Sequence, residues 1–295
     1  MTGDPGGGDG SGDPGGGSAP DAPEGGDGSG GRGADDRPAG TMADVVAEVF
    51  AALREGEEGI DLLRTLDPIY RTVSRDGEAV VDARVETVRS ALGEDPESVL
   101  VLACGVGDLL ERLAGEYPRV LGVEPEPRIA GIASRRAGVP VVVGDPTDPP
   151  LRGRFDAVVG LGYPTVRPTA EDDPDRLFET VRNLLSPGGT LVLDAPEEPR
   201  AVLGGPLSGE VGGYRVERSV AAGDVTGDRA EMGVDYELER TADGEVTGTV
   251  QHATVRLFDP DDLADALSAA GFVDVRVNRN EDEPGGLVAA GRRGD

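Results

Sequence analysis

At 295 residues the chain is long enough for one large domain or two small ones. Its net charge is −29 and lysine is absent; charge alone discriminates partners poorly in high salt, but the absence of a basic patch with interleaved aromatics argues against a nucleic-acid partner. One cysteine, Cys104, and one histidine, His252, exclude an internal disulfide and are too few for a Cys/His metal cluster, so no metal is expected.

Residues 1–40 hold 16 glycines, eight acids, two arginines and almost no large apolar side chain. Such a segment cannot bury enough surface to offset its ordering entropy, so it reads as a disordered tail ahead of a folded domain at 41–295. A start at Met42, with the preceding residues over-read from a glycine-rich coding region, is the alternative. The tail supplies only six of the 29 excess negative charges, so the folded part is acidic too. Dense Asp and Glu without lysine is the surface expected in a salt-saturated cytoplasm, where screening removes self-repulsion, and points to a halophilic source. No apolar run approaches the ~20 residues that span a bilayer, and no signal-peptide pattern is visible, so a soluble cytoplasmic protein without a membrane partner is expected.

After the tail, Thr41 can cap a helix in which Met42, Val45, Val46, Val49, Phe50 and Leu53 recur at helical spacing. A second helix carries Val80, Val81, Val85, Val88 and Leu92 and stops near Asp95-Pro96. Short apolar runs at 99–103, 120–123, 139–143, 155–160 and 190–193 then alternate with helical stretches at 109–116, 128–137 and 175–185. That alternation is the signature of a parallel sheet covered on both faces. Segments 214–220, 231–239 and 246–257 alternate like half-buried strands between Gly-Asp and Ala-Asp-Gly turns, and read as a small antiparallel insertion at about 205–257. A helix opened by Asp259-Pro260 and stopped by Gly271, then strands at 272–277 and 286–290, complete the chain. The expected architecture is α/β and Rossmann-like, with an N-terminal helical cap.

The strongest local signal is Ala103-Cys104-Gly105-Val106-Gly107 at the mouth of the first strand, followed by a helix. Glycines there let the backbone bend sharply and approach a ligand without Cβ interference. Glu124 ends the second strand 19 residues beyond Gly105, the spacing at which a carboxylate accepts both ribose hydroxyls of a nucleoside. Gly144-Asp145 closes the third strand at the same edge, where an acid can accept from an adenine amino group. A dinucleotide dehydrogenase shares the loop and the acid, yet the third glycine of G-x-G-x-x-G is replaced by the bulky Leu110.

The ordered stretches 99–114, 120–133, 141–162, 177–196 and 256–277, with the Ser186-Pro187-Gly188-Gly189 turn, resemble the class I S-adenosylmethionine-dependent methyltransferases of small molecules. The resemblance covers roughly residues 66–292. It implies a seven-stranded sheet with an antiparallel last strand, S-adenosylmethionine as cofactor, and an insertion after the fifth strand that shapes the acceptor pocket. It also assigns Ala103, Gly105 and Gly107 to the methionine portion and sugar, Glu124 to the ribose, Asp145 to the adenine, and Gly160 through Tyr163 to the methyl-transfer cleft. Tyr70 resembles the tyrosine of an N-terminal helix that closes over the cofactor.

The sequence departs from the family pattern at Val101, where an acid commonly orients the methionine amino group, and at Pro146, which has no N–H for the adenine ring. These departures keep two alternatives open: a catalytically silent cofactor-binding module and, further off, an NAD-dependent oxidoreductase. On the acceptor side, Tyr163 follows the fourth strand, His252 is the one side chain that ordinarily titrates near neutrality, and Arg256 can meet an anionic group. The packed or solvated role common to such residues stands beside each of these assignments. No catalytic residue is singled out, and the expected partner is a small molecule.

Overall fold

Thr41 opens the first helix by a reciprocal cap. Its hydroxyl accepts from the Asp44 N–H at 3.2 Å, while the Asp44 carboxylate takes the Thr41 N–H at 2.6 Å. The computed structural model describes residues 40–74, 77–92, 96–164, 174–199, 201, 206–283 and 285–294, so the tail at 1–39 lies outside the described residues. The helices are α1 (Met42–Glu55), α2 (Leu62–Thr65), α3 (Asp67–Val73), α4 (Gly77–Leu92), α5 (Asp108–Ala114), α6 (Pro127–Ala137), α7 (Pro174–Leu184) and α8 (Pro260–Ala269). The strands are β1 (Ser98–Leu102), β2 (Arg119–Glu124), β3 (Val141–Val143), β4 (Phe155–Gly160), β5 (Leu185–Pro196), β6 (Leu207–Val211), β7 (Tyr214–Thr226), β8 (Arg229–Arg240), β9 (Glu245–Arg256), β10 (Phe272–Arg279) and β11 (Gly286–Arg293).

Seven strands form one sheet in the order β10-β11-β5-β4-β1-β2-β3, with β11 antiparallel to both neighbours. The fold is the Rossmann-like sheet with flanking helices that the sequence leads one to expect. Its inner strands are apolar throughout because both faces are covered. Val99 and Val101 of β1 pack with α4 and α5, whereas Leu100 and Leu102 point to the opposite layer with α7 and α8. The parallel strands bring their C-terminal ends to one edge, where the loops after β1, β2 and β4 meet.

The insertion forms a separate antiparallel sheet, β6-β7-β8-β9. Its inner face carries Val216, Met232, Val234, Tyr236 and Leu238, and packs on α1, α2 and α3 together with Ile129 and Ile132 of α6. Val106 of the glycine loop, 1% exposed, belongs to this same apolar cluster. The sequence reading lacks three of these features. Strand β6 is hidden by Gly209, whose added Cβ would lie 2.5 Å from the Val73 carbonyl oxygen; the glycine that looks like a loop signal is what lets α3 approach. Helix α2 carries too few turns to show a periodicity, and α3 is expected only from the resemblance at Tyr70. Strand β5 begins at Leu185, which pairs with Phe155 of β4, so the Ser186–Gly189 segment falls at the register shift between that pair and Ala157–Thr190. No described helix is long and apolar enough to cross a membrane.

Helix α3 is tied to the small sheet by buried charge. Asp67 pairs with Arg71 at 2.7 Å and with Arg218 of β7, whose side chain is only 2% exposed. Burial alone pushes the Asp67 carboxyl up, but Arg71 and Arg218 outweigh it and hold it at about 2 instead of 3.8. Tyr70 stacks edge-on against Tyr236, with centroids 5.6 Å apart, and its hydroxyl donates to the Glu237 carbonyl oxygen at 3.3 Å. A depressed carboxyl stabilises the fold above its ordinary range, and that contribution is lost as the pH falls through about 2. Asp67→Asn is therefore expected to cost about 2–3 kcal/mol at neutral pH, with the penalty vanishing on acidification; urea unfolding of both proteins across that range checks it.

Candidate functional site

The glycine loop turns out of β1 through left-handed residues at every second position: Ala103 (φ 50°), Gly105 (φ 56°) and Gly107 (φ 91°). Its amides are held from two sides. The Cys104 N–H donates to the Val123 carbonyl oxygen at 3.1 Å, and the Gly105 N–H donates to Glu124 Oε2 at 3.0 Å. Glu124, fully buried at the end of β2, also accepts from the Glu126 N–H through Oε1 at 3.2 Å. Gly107 is glycine for two reasons: its φ is positive, and an added Cβ would lie 2.9 Å from Ala133 Cα of α6. Leu110 is tolerated because the close approach is made by the other partner. An added Cβ on Gly122 of β2 would meet Leu110 Cδ2 at 3.0 Å.

Above this loop sits α3. An added Cβ on Gly105 would be in contact with Pro68 at 3.5 Å, and Thr72 hydrogen-bonds Asp108 at the start of α5. Pro68 and Thr72 are thus the residues of α3 that face the loop. Tyr70, expected there, is turned into the apolar layer under the small sheet, where burial drives its hydroxyl pKa upward. Asp145 is exposed beyond β3, and its Oδ1 accepts from the Thr147 N–H at 2.8 Å and the Thr147 hydroxyl at 2.7 Å. Val101 lies in the apolar layer under α4 and α5.

Beside the loop, β4 ends in Gly160, and an added Cβ there would meet Pro164 at 2.9 Å. Tyr163 is 3% exposed and left-handed (φ 59°), a conformation that costs a bulky residue about 1–2 kcal/mol. Its N–H donates to Asp194 Oδ1 at 2.6 Å, and the Gly162 N–H donates to Asp194 Oδ2 at 2.7 Å. The Tyr163 hydroxyl donates to Glu283 Oε2 at 3.2 Å, and Glu283 Oε1 pairs with Arg84 of α4 at 2.7 Å. Burial pushes the Asp194 carboxyl up to about 7, against the lowering effect of Arg84 and of the two amides.

His252 and Arg256 are not brought to this edge. His252 lies on the exposed outer face of β9, opposite Gly233, while the flanking Ala253 points inward. Arg256 is occupied by Asp228 at 2.9 Å and lies over the Phe258 ring. The residues that sequence reasoning missed are Asp194, Glu283, Arg84 and Arg71. Asp194 gave a signal: like Glu124, it is an acid directly after an apolar run. Glu283 follows Glu281 and Asp282, and no local pattern distinguishes it.

Residues 99–189 match a family model described as a methyltransferase domain. The chain is also 32% identical over 212 residues to the dTDP-4-amino-2,3,4,6-tetradeoxy-D-glucose N,N-dimethyltransferase of Saccharopolyspora spinosa, covering 70% of this chain and 83% of that protein. The chain belongs to the class I S-adenosylmethionine-dependent methyltransferases. Among solved structures, the sugar N-methyltransferase KedS8 from a Streptoalloteichus species aligns with a TM-score of 0.56 at 26% identity, over 83% of this chain and 93% of that one. DesVI of Streptomyces venezuelae aligns with a TM-score of 0.63 at 23% identity, over 80% and 99%, and shares the fold. The activity is accordingly methyl transfer from S-adenosylmethionine to a small-molecule acceptor, and the oxidoreductase alternative falls away.

Two glycines of this methyltransferase separate backbone strain from crowding. Gly107 (φ 91°) has Ala133 in the way of a Cβ, whereas Gly138 (φ 67°) has nothing within 4 Å. Gly138→Ala is expected to cost about 1 kcal/mol in thermal unfolding and Gly107→Ala at least twice that, because α6 must also shift.

Proposed function

We propose that this methyltransferase N-methylates an amino group on a nucleotide-linked deoxyamino sugar. The observation that carries the reading is the 32% identity to the Saccharopolyspora spinosa dimethyltransferase across 83% of that protein. The cofactor's donor set suits the strand ends: a nucleoside presents hydroxyl and amino donors, and Glu124 and Asp145 present carboxylates at one edge. On this reading the left-handed loop of Ala103, Gly105 and Gly107 receives the methionine portion, Glu124 the ribose beneath α3, and Asp145 the adenine. Gly160 and Tyr163 border the methyl-transfer cleft.

S-adenosylmethionine supplies a methyl group on a sulfonium sulfur, so the protein has to align the nucleophile and keep water out. Alignment falls to the loops after β1 and β4, both of which are fixed by buried carboxylates rather than left to their own flexibility. Exclusion of water falls to α3, which rests on the glycine loop through Pro68. The acceptor amine attacks as its neutral form, becoming a methylated ammonium while the sulfonium becomes a thioether. Tyr163 and Glu283 are the polar groups beside the β4 loop, where that ammonium's proton can be held.

Purified protein in molar KCl, given S-adenosylmethionine and a dTDP-linked 4-amino deoxysugar, is expected to yield mono- and dimethylated product by mass spectrometry. Gly105→Val is expected to lower S-adenosylhomocysteine affinity at least about tenfold without unfolding the chain, since a β-branched residue is strained at φ 56° and crowds Pro68. Methylation of a free amino acid, with the nucleotide-linked sugar untouched, overturns the acceptor assignment.

A further inference from the structure

Two buried carboxylates end strands at the functional edge, and only Glu124 is used by the cofactor reading. The other, Asp194, is 1% exposed at the end of β5, next to the end of β4. Both its oxygens are engaged by backbone amides of the β4 loop: Oδ2 by the Gly162 N–H at 2.7 Å and Oδ1 by the Tyr163 N–H at 2.6 Å. That bidentate grip falls on the residues whose backbone is least able to hold itself. Gly162 (φ 139°) and Tyr163 (φ 59°) are both at positive φ, and a tyrosine avoids that region unless its surroundings impose it. The side chain of Tyr163 is then directed to Glu283, which is itself braced by Arg84.

We propose that Asp194 is the positioning residue of the acceptor side: its ionised carboxylate sets the strained backbone of the β4 loop and so aims Tyr163 and Glu283 at the methyl-transfer cleft. This rests on the methyltransferase reading of the site, but the clamp is defined by the loop geometry alone. Its consequence is a loop that answers to pH. An ionised carboxylate accepts from both amides; a protonated one gives up part of its acceptor capacity and carries no charge to strengthen the bonds.

The groups facing Asp194 set where that change falls. Burial raises its pKa, Arg84 of α4 lowers it, Glu283 between β10 and β11 raises it, and the two amides lower it, which leaves the carboxyl titrating at about 7. Arg71 of α3 acts at one remove, through Tyr163 and Glu283. The sign is fixed by the raised value. Ionised Asp194 disfavours the fold as the pH rises through about 7, yet that same form grips the loop. The chain gives up some global stability for an ordered acceptor side above neutrality.

Amide hydrogen exchange reads the clamp without needing the acceptor. Protection of the Gly162 and Tyr163 amides, corrected for intrinsic rates, is expected to fall about tenfold from pH ~8 to pH ~6 in the wild type, following the ionised fraction. In Asp194→Asn, with one acceptor oxygen instead of two, protection is expected to be low at both pH values. Turnover of the dTDP-linked 4-amino deoxysugar should show an acidic limb in kcat near neutrality, superposed on that of the acceptor amine, and Asp194→Asn is expected to remove the first and keep the second. If the acceptor assignment fails, the turnover arm is silent and the exchange arm still reports. Protection that is independent of pH in the wild type, or unchanged in Asp194→Asn, overturns the proposal. Should the variant not fold, the wild-type pH series alone decides.

Discussion

A carboxylate taken out of water has to be met by donors, and here those donors are the backbone amides of the loop on the neighbouring strand. Glu124 at the end of β2 holds the loop after β1, and Asp194 at the end of β5 holds the loop after β4. Each arrangement exchanges the hydration of a charged group for charge-assisted hydrogen bonds, which are roughly twice as strong as neutral ones. Each also fixes a turn that its own sequence leaves loose, because three of the four residues gripped, Gly105, Gly162 and Tyr163, are at positive φ. A parallel sheet places its strand ends side by side, so these two clamps lie at one edge.

The small antiparallel sheet is joined to that edge through α3. One side of this helix carries Asp67 and Tyr70 into the layer beneath β7 and β8, and the other carries Pro68 and Thr72 onto the glycine loop and α5. The buried Asp67–Arg218 pair gives the helix a fixed position on the sheet, since breaking such a pair strands an uncompensated charge. Val106 extends the same apolar layer into the loop itself. The small sheet, helices α1 to α3 and the glycine loop therefore share one core.

Periodicity was enough to read the α/β sheet, because strands buried on both faces must be apolar throughout and amphipathic helices must alternate with them. The edge was half legible. Glu124 shows itself by spacing from the glycine loop, and the loop by its glycines. Asp194 carries the same outward mark, an acid at the end of the apolar run Leu191–Val192–Leu193, but lacks a spaced partner that would single it out. Arg84 and Glu283 are 199 residues apart, and nothing local announces a pair made only by tertiary folding. Tyr70 illustrates the opposite limit: the helix was anticipated, but a change of about 100° per residue decides which of Pro68, Tyr70 and Thr72 looks at the loop. His252 was picked for its chemistry, and strand alternation places it on the outer face.

The central claim is that the nucleoside cofactor is received at the edge set by these two clamps. A crystal structure with S-adenosylhomocysteine tests it most directly. The account requires the ribose hydroxyls within hydrogen-bond distance of Glu124, with the sulfur between the glycine loop and the segment bearing Gly162 and Tyr163. A ligand bound away from Glu124, or a β4 loop released from Asp194 in the complex above neutral pH, contradicts it.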